Sequence, residues 1–143
     1  MAMRPIWAVV VTAAAVAVWW WLRTLAGGWV TFLFVYSGLA LVLLVPVVMA
    51  LFLVKRLRLG PRTSVAFGAQ AGVLVLASLL TPDSADNGPM VPLAVLLGHQ
   101  QISDASSGVL TMVGFALAAV WLLLIPIIGL LAWGVESKPT VVA

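Results

Sequence analysis

The stretch WVTFLFVYSGLALVLLVPVVMALFLV, residues 29–54, decides the fold class because it contains no charged side chain. A helix needs about 20 apolar residues to cross a hydrocarbon core that is roughly 30 Å thick. The stretch exceeds that length, and it lacks the polar and apolar alternation of a membrane β-barrel strand. Lipid offers the backbone no hydrogen-bond partner, so a membrane-spanning helix is predicted here.

Three further apolar segments surround this one, at about residues 5–22, 64–80 and 108–135. Apolar residues make up 64% of the chain and charged residues only 8%, whereas an average soluble domain has about 25% charged residues. So few charges cannot cover a surface exposed to water. The sequence therefore predicts an all-α, multi-pass membrane protein, with residues 1–143 forming one domain built as a bundle of four transmembrane helices.

The basic residues predict how the four spans are oriented. Positive side chains in short loops favour the cytoplasmic side of a membrane. With the N-terminus inside, only Arg23 of the 7 Lys and Arg residues falls outside. The remaining basic residues are Arg4, Lys55, Arg56, Arg58, Arg62 and Lys138. Both ends are therefore expected in the cytoplasm, and the Ala-, Val- and Leu-rich composition favours the plasma (inner) membrane of a bacterium.

The first segment also has the apolar character of a signal peptide. Two features argue against cleavage. One is the bulky run Trp19-Trp20-Trp21, and the other is the lack of a small-residue cleavage site before Gly27. Tryptophan favours the membrane–water interface. The run is therefore expected at the outer end of an uncleaved helix.

Two of the segments share a short motif, LLVPVV at residues 43–48 and LLIPII at residues 123–128. Each proline falls in the cytoplasmic half of a segment that is expected to run from outside to inside. An internal repeat of two helical hairpins is one interpretation. A chance likeness between two Leu-rich helices is the other, and we favour it because lipid-embedded helices tolerate proline.

The predicted outer loop, residues 81–107, opens with the turn-forming sequence TPDSADNGP. The apolar stretch 90–97 follows, and eight residues are too few to cross a membrane. This stretch is expected to form a short helix on the outer interface. A re-entrant dip is the alternative, but it would need surrounding protein to satisfy its backbone groups.

Small residues recur every four positions in the last two segments, at Ser64, Gly68 and Gly72, and again at Gly114 and Ala118. Residues four apart share one helix face, and small side chains there let another helix approach closely. Packing within the chain is the favoured interpretation. A seam between two copies of the chain is the alternative.

Gln70 is the one strongly polar side chain deep within a predicted span. It lies about 200° around the helix from Gly68 and Gly72, so it does not share their face. A buried amide in a membrane usually bonds a neighbouring helix. Lining a pore or contacting a ligand is the alternative role.

Ionisable side chains are lacking near the middle of every predicted span, which disfavours proton-coupled transport within one chain. The outer loop combines His99 with Asp83, Asp86 and Asp104, but their spacing matches no known set of metal ligands. A catalytic group of Ser103, His99 and Asp104 lacks any nucleophile motif. No catalytic residue, metal site or cofactor is therefore assigned.

The loop 55–62 carries four positive charges, at Lys55, Arg56, Arg58 and Arg62. Besides setting the topology, they are expected to contact anionic lipid headgroups of the inner leaflet, at about 1 kcal/mol per charge. The charges are too few and too local for nucleic-acid binding.

These features predict a non-catalytic membrane component, namely an accessory, assembly or scaffolding subunit whose partners are the bilayer and other membrane subunits or copies of itself. The alternative is a small channel or transporter formed by a homo-oligomer. That alternative draws on the small-residue spacing, on Gln70 and on the proline-containing spans. A membrane-embedded enzyme of lipid or quinone chemistry would need catalytic residues that the sequence does not offer.

Overall fold

The computed structural model describes residues 3–55, 59–85, 88–99 and 102–135. Within them, three helices are long and apolar enough to cross a membrane, and a bent pair of shorter helices brings the number of candidate spans to four if it is counted as one. The prediction of packed membrane-spanning helices is thereby confirmed. The elements are α1 (Pro5–Leu25), α2 (Trp29–Tyr36), a 3₁₀ turn (Leu39–Leu44), α3 (Val45–Leu53), α4 (Pro61–Leu80), β1 (Asp83–Ala85), β2 (Gly88–Met90), α5 (Pro92–Leu96), α6 (Asp104–Gly129) and a π-helical turn (Leu130–Val135).

Helices α4 and α6 begin before their predicted bounds because capping residues, and not hydropathy, set where they begin. Helix α1 begins at its predicted residue and extends past its predicted end to Leu25. Proline begins both α1 and α4, where its missing N–H and fixed φ suit the first helical turn. Helix α6 begins after Ser103, whose Oγ accepts a hydrogen bond from the Ser106 N–H at 3.2 Å. Helix α6 therefore starts four residues before the predicted bound.

The segment predicted as one straight span, residues 29–54, is broken. Helix α2 ends at Tyr36, Gly38 adopts a left-handed conformation with φ of 75°, and the helical axis then turns by 78°. Glycine takes this conformation without steric cost. Pro46 begins the regular α-helix of α3, because a proline cannot donate the hydrogen bond that a continuous helix would require there.

Helices α1 and α4 run side by side in the same direction. At one end, the Met3 N–H donates to Ser64 Oγ at 3.0 Å and the Leu59 N–H donates to the Met3 carbonyl at 3.0 Å. At the other end, Arg23 contacts the last turn of α4. We call these the Met3 end and the Arg23 end. The chain leaves α1 at the Arg23 end and enters α4 at the Met3 end, so the bent pair carries it from one end of the bundle to the other.

Two clusters of buried apolar side chains form the core, and α4 packs against both α1 and α6. Many members are alanines, which allow the helices to approach closely. The cluster nearer the Met3 end contains Ala8, Ala50, Leu53, Leu59, Ala66, Phe67, Ile128 and Ala132. The other contains Ala15, Val16, Trp19, Leu43, Ala71, Leu74 and Trp121.

The loop that was predicted to lie outside, residues 81–107, contains one feature that the all-α prediction did not include. Strands β1 and β2 pair antiparallel, with Asp83 opposite Met90, and Gly88 adopts a φ of 115°. The turn-rich sequence at this position therefore forms a small hairpin. The short helix expected within residues 90–97 is α5, which packs against α1 and α4. Its location at a membrane interface stays a prediction.

The two segments that share the LLxPxx motif differ in structure. Pro46 lies at the start of α3, directly after the 3₁₀ turn. Pro126 lies inside α6, which continues into the π-helical turn only four residues later. An interrupted helical ladder is a common consequence of an internal proline. The likeness of the two sequences therefore does not extend to their local backbone.

Candidate functional site

Arg23 forms the first part of a polar cluster at the Arg23 end. It lies in the last turn of α1 and is only 5% exposed. Its Nη2 atom donates hydrogen bonds to the carbonyls of Ser78 at 2.9 Å and of Thr81 at 3.1 Å. The last carbonyls of a helix lack intrahelical partners and carry partial negative charge. Arg23, the one basic residue that was predicted to lie outside, therefore caps the C-terminus of α4.

Asp83 forms the second part of the cluster and is 1% exposed, although the sequence suggested a solvated loop. Its carboxylate accepts hydrogen bonds from the Val30 N–H at 3.0 Å, from the Thr31 N–H at 3.1 Å and from the Thr31 hydroxyl. The residue that precedes α2 is Gly28, which has no side chain to cap the helix. Asp83 supplies that cap from a position more than 50 residues away in the sequence.

Close backbone contacts complete the cluster. A Cβ added to Gly28 would lie 2.5 Å from the Ser84 carbonyl oxygen, so β1 can approach α2 only because this residue is glycine. Gly114 of α6 similarly lies against the side chain of Thr81. The charges of Arg23 and Asp83 also attract each other. We call Arg23, Thr31, Ser78, Thr81 and Asp83 the Arg23–Asp83 cluster, and it connects α1, α2, α4 and the β-hairpin.

A cavity of about 190 Å³ lies next to this cluster, between α1, α2, α4 and α6. Its polar lining comes from the cluster, through Arg23, Thr31, Ser78 and Thr81. The rest of its lining is mostly apolar and includes four aromatic rings. The large apolar residues around it are Trp19, Val30, Phe34, Leu43, Leu74, Phe115 and Trp121. The cavity is therefore polar at one end and apolar over the remainder.

Gln70 is 1% exposed, and neither atom of its amide group has a hydrogen-bond partner among the described residues. The amide faces a second cavity of about 10 Å³, which also has Thr12 and Pro46 in its lining. That volume is at the lower limit of what one water molecule needs. Leu43, Leu74 and Trp121 line both cavities, so the two lie next to each other. The expected hydrogen bond from Gln70 to a neighbouring helix is not formed.

The predicted small-residue positions occupy different environments. Ser64 is buried and accepts a hydrogen bond from Met3, and Gly114 is buried against Thr81. Gly68 and Gly72 are exposed, and a Cβ added at either would meet no atom within 4 Å. Ala118 is exposed as well and lines the larger cavity. Among the described residues, no atom therefore lies close to the open side of Gly68 or Gly72, and a seam with another molecule stays a prediction.

The remaining predicted positions lie on the surface or outside the described residues. Lys55 and Arg62 are exposed, and both lie at the Met3 end. Arg56 and Arg58 lie outside the described residues, as does Asp86, so the contact with lipid headgroups stays a prediction. His99 and Asp104 are exposed, and no group of three His, Cys, Asp or Glu side chains in the described ranges could hold a metal ion.

Replacing Gln70 by leucine should leave the free energy of unfolding unchanged within about 1 kcal/mol, or raise it. The apolar side chain has a similar length, and it removes an amide group that the fold leaves without a partner. Thermal unfolding of the purified protein in detergent would measure the effect. A much larger loss of stability would show that Gln70 has an essential partner.

No protein-family model matches this sequence, and comparisons with curated proteins and with solved structures gave no match. The function is therefore inferred from the residues of this chain.

Proposed function

We propose that this chain is a non-catalytic membrane subunit that assembles with another membrane protein, or with copies of itself, through an exposed face of α4. The observation that carries the proposal is the open space beside Gly68 and Gly72, where an added Cβ would meet nothing within 4 Å. Helices in lipid associate where small residues allow close approach. A face of this kind that the chain itself leaves uncovered suits a partner helix.

The exposed side of α4 consists of Val65, Gly68, Ala69, Gly72 and Leu76, which we call the glycine face. Its residues repeat at spacings of three and four, as one face of a helix requires. The opposite side of α4 is buried and includes Phe67, Gln70 and Leu74. A groove bordered by Val65, Ala69 and Leu124 runs beside the glycine face toward α6. The bundle thus uses one side of α4 and leaves the other available.

The alternative, a homo-oligomeric channel or transporter, receives less support from the geometry. Gln70 faces the interior of its own bundle, so a pore between copies that meet at the glycine face would not be lined by it. A liposome flux assay separates the two proposals. Flux of small ions or neutral solutes that depends on the protein and falls in Gln70→Leu would favour the channel.

The proposed setting is the plasma membrane, crossed four times with both termini in the cytoplasm. Two observations support it: the bent pair carries the chain between the ends of the bundle, and the exposed Lys55 and Arg62 lie at the Met3 end. Positive charge at that end suits the cytoplasmic leaflet and its anionic lipids. Helix α5 would then lie at the outer interface.

Gly68→Leu and Gly72→Leu should each dissociate the assembly and leave the bundle folded. A leucine forces a partner helix away, whereas its Cβ would meet no atom of the described residues within 4 Å. The leucine also improves helix propensity by up to about 1 kcal/mol. The measurement is the mass of the complex purified in mild detergent, together with the stoichiometry of any partner. Thermal unfolding reports the fold.

Gly108→Leu is the matched control, because Gly108 is an exposed helical glycine with the same open space around it. This variant should retain the wild-type mass and stoichiometry. A wild-type protein that purifies as a monomer without a partner would refute the proposal. Retention of the complex by both variants of the glycine face would refute it as well.

A further inference from the structure

We propose that the cavity beside the Arg23–Asp83 cluster binds an amphiphile that has an anionic oxygen head and an apolar chain. The head contacts the guanidinium of Arg23, and the chain lies among the aromatic side chains between α1, α2, α4 and α6. The inference is independent of the assembly proposed above, because the glycine face is on the opposite side of α4.

The first argument is the unused hydrogen-bonding capacity of Arg23. A guanidinium has five N–H donors, and both hydrogen bonds of Arg23 come from Nη2. Its Nε and Nη1 atoms have no acceptor among the described residues. The side chain is 5% exposed and lines the cavity. A guanidinium fork matches the geometry of a carboxylate or phosphate, so an anionic oxygen group in the cavity would supply the missing acceptors.

Asp83 does not supply the missing acceptors for the Arg23 guanidinium. Its two carboxylate oxygens accept hydrogen bonds from the first N–H groups of α2, from the Thr31 hydroxyl and from the Ser84 N–H. Its charge attracts Arg23, but no hydrogen bond joins the two side chains within the described part of the protein. The attraction helps to hold the guanidinium in place, and the Nε and Nη1 donors of Arg23, a residue that lines the cavity, remain without an acceptor among the described residues.

The second argument is the size and character of the cavity. Its volume of about 190 Å³ exceeds the roughly 150 Å³ of an engineered apolar cavity that accommodates benzene. Its apolar lining includes Trp19, Phe34, Phe115 and Trp121. An apolar chain in this space would make van der Waals contacts with these side chains. A polar end and an apolar body together fit an amphiphile better than a polar solute.

The third argument is the position of the opening. Val30 of α2 is 51% exposed and Phe115 of α6 is 71% exposed, although both line the cavity. Ala118 of α6 also lines the cavity and is exposed. The cavity therefore opens on the side of the bundle between α2 and α6. Apolar side chains surround this opening, so a ligand would enter from the bilayer.

The test uses the full chain in nanodiscs of phosphatidylcholine, with dodecanoic acid that carries a photoreactive diazirine as the probe. We expect saturable cross-linking, and mass spectrometry should place the label on Leu74, Phe115 or Trp121. In Arg23→Gln the concentration for half-maximal labelling should rise at least tenfold. Neutral dodecanol should compete at least tenfold more weakly than dodecanoate, because it cannot form the ionic contact with the guanidinium.

A second variant keeps the test decisive if Arg23→Gln does not fold. Ala118→Phe fills the cavity without changing the Arg23–Asp83 cluster and should abolish the labelling. Ala119→Phe is the matched control, because Ala119 is exposed and does not line the cavity. It should bind the probe as the wild type does.

Competition identifies the source of the ligand. Displacement of the probe by dodecanoate alone points to a free carboxylate, and displacement by phosphatidylglycerol as well points to an anionic phospholipid. Absence of saturable labelling in the wild type would overturn the proposal. So would labelling that Ala118→Phe leaves unchanged, or dodecanol that competes as well as dodecanoate.

Discussion

Replacing Asp83 by alanine should destabilise the Arg23 end of the bundle by about 3 kcal/mol. A distant carboxylate caps α2, and loss of a helix N-cap costs about 1–2 kcal/mol. Because the N–H groups of Val30 and Thr31 are part-buried, the loss of their acceptor places the cost toward the upper end of about 1–3 kcal/mol. The guanidinium of Arg23 also loses its electrostatic attraction to the Asp83 carboxylate.

Thermal or denaturant unfolding in a fixed detergent would measure this loss. Asp104→Ala is the control, because Asp104 is also an acid at the first turn of a helix, but it is exposed and Ser103 supplies the cap there. That variant should unfold close to the wild-type midpoint. Equal midpoints for Asp83→Ala and the wild type would show that α2 does not depend on the distant cap.

Gly28→Ala should cost about 1–3 kcal/mol, which is typical of overpacking, and more if Asp83 is displaced. The backbone of Gly28 is extended, with φ of −138° and ψ of −177°, so an alanine could adopt it. The cost comes from contacts instead. The new Cβ would lie 2.5 Å from the Ser84 carbonyl oxygen and 2.6 Å from Asp83 Oδ1. Either β1 moves away from α2 or the Asp83 cap is lost.

Gly27→Ala provides a control at the adjacent position. There a Cβ would meet the Thr24 and Arg23 carbonyl oxygens at 3.6 and 3.8 Å, which are ordinary contact distances. The same unfolding measurement should therefore show Gly28→Ala to be less stable than Gly27→Ala, although both variants replace a glycine by an alanine. If both variants unfold alike, the close approach of β1 to α2 is not essential to the fold.

Hydropathy predicted the membrane-spanning helices because lipid allows few alternatives to a helix over 20 apolar residues. It did not predict the break in the second segment, since Gly38 lies within a run that is apolar on both sides. The break depends on the positive φ of Gly38, and the first turn of α2 is held by contacts with the hairpin at Asp83. A hydropathy profile contains no information about such a contact.

The Arg23–Asp83 cluster could not be predicted from the sequence, because the residues that contact one another in it are distant along the chain. Arg23 contacts carbonyls 55 and 58 positions away, and Asp83 caps a helix that starts more than 50 positions before it. One local signal was present. Two glycines precede α2 where a Ser, Thr, Asp or Asn would normally cap a helix. The lack of a local capping side chain indicates that a residue from another part of the chain caps the helix.

The sequence placed Gln70 away from the face of Gly68 and Gly72, and the structure shows those residues on opposite sides of α4, with Gln70 buried and both glycines exposed. Which face would be buried could not be predicted, since α4 contains no charged residue beyond Arg62 in its first turn. The helix buries the side with the larger apolar residues Phe67 and Leu74. Large side chains make more van der Waals contacts within the bundle than glycine does, and such packing holds helices together in lipid.

The central claim is that the broken segment carries the chain across the membrane, so that Lys55 and Ser84 lie on opposite sides. The chain has no cysteine, so Lys55→Cys and Ser84→Cys each introduce a single thiol at an exposed position. Labelling with a membrane-impermeant maleimide before and after permeabilisation of whole cells tests the claim directly. We expect Ser84→Cys to react in intact cells and Lys55→Cys to react only after permeabilisation. Labelling of both thiols in intact cells would show that the segment does not cross the membrane.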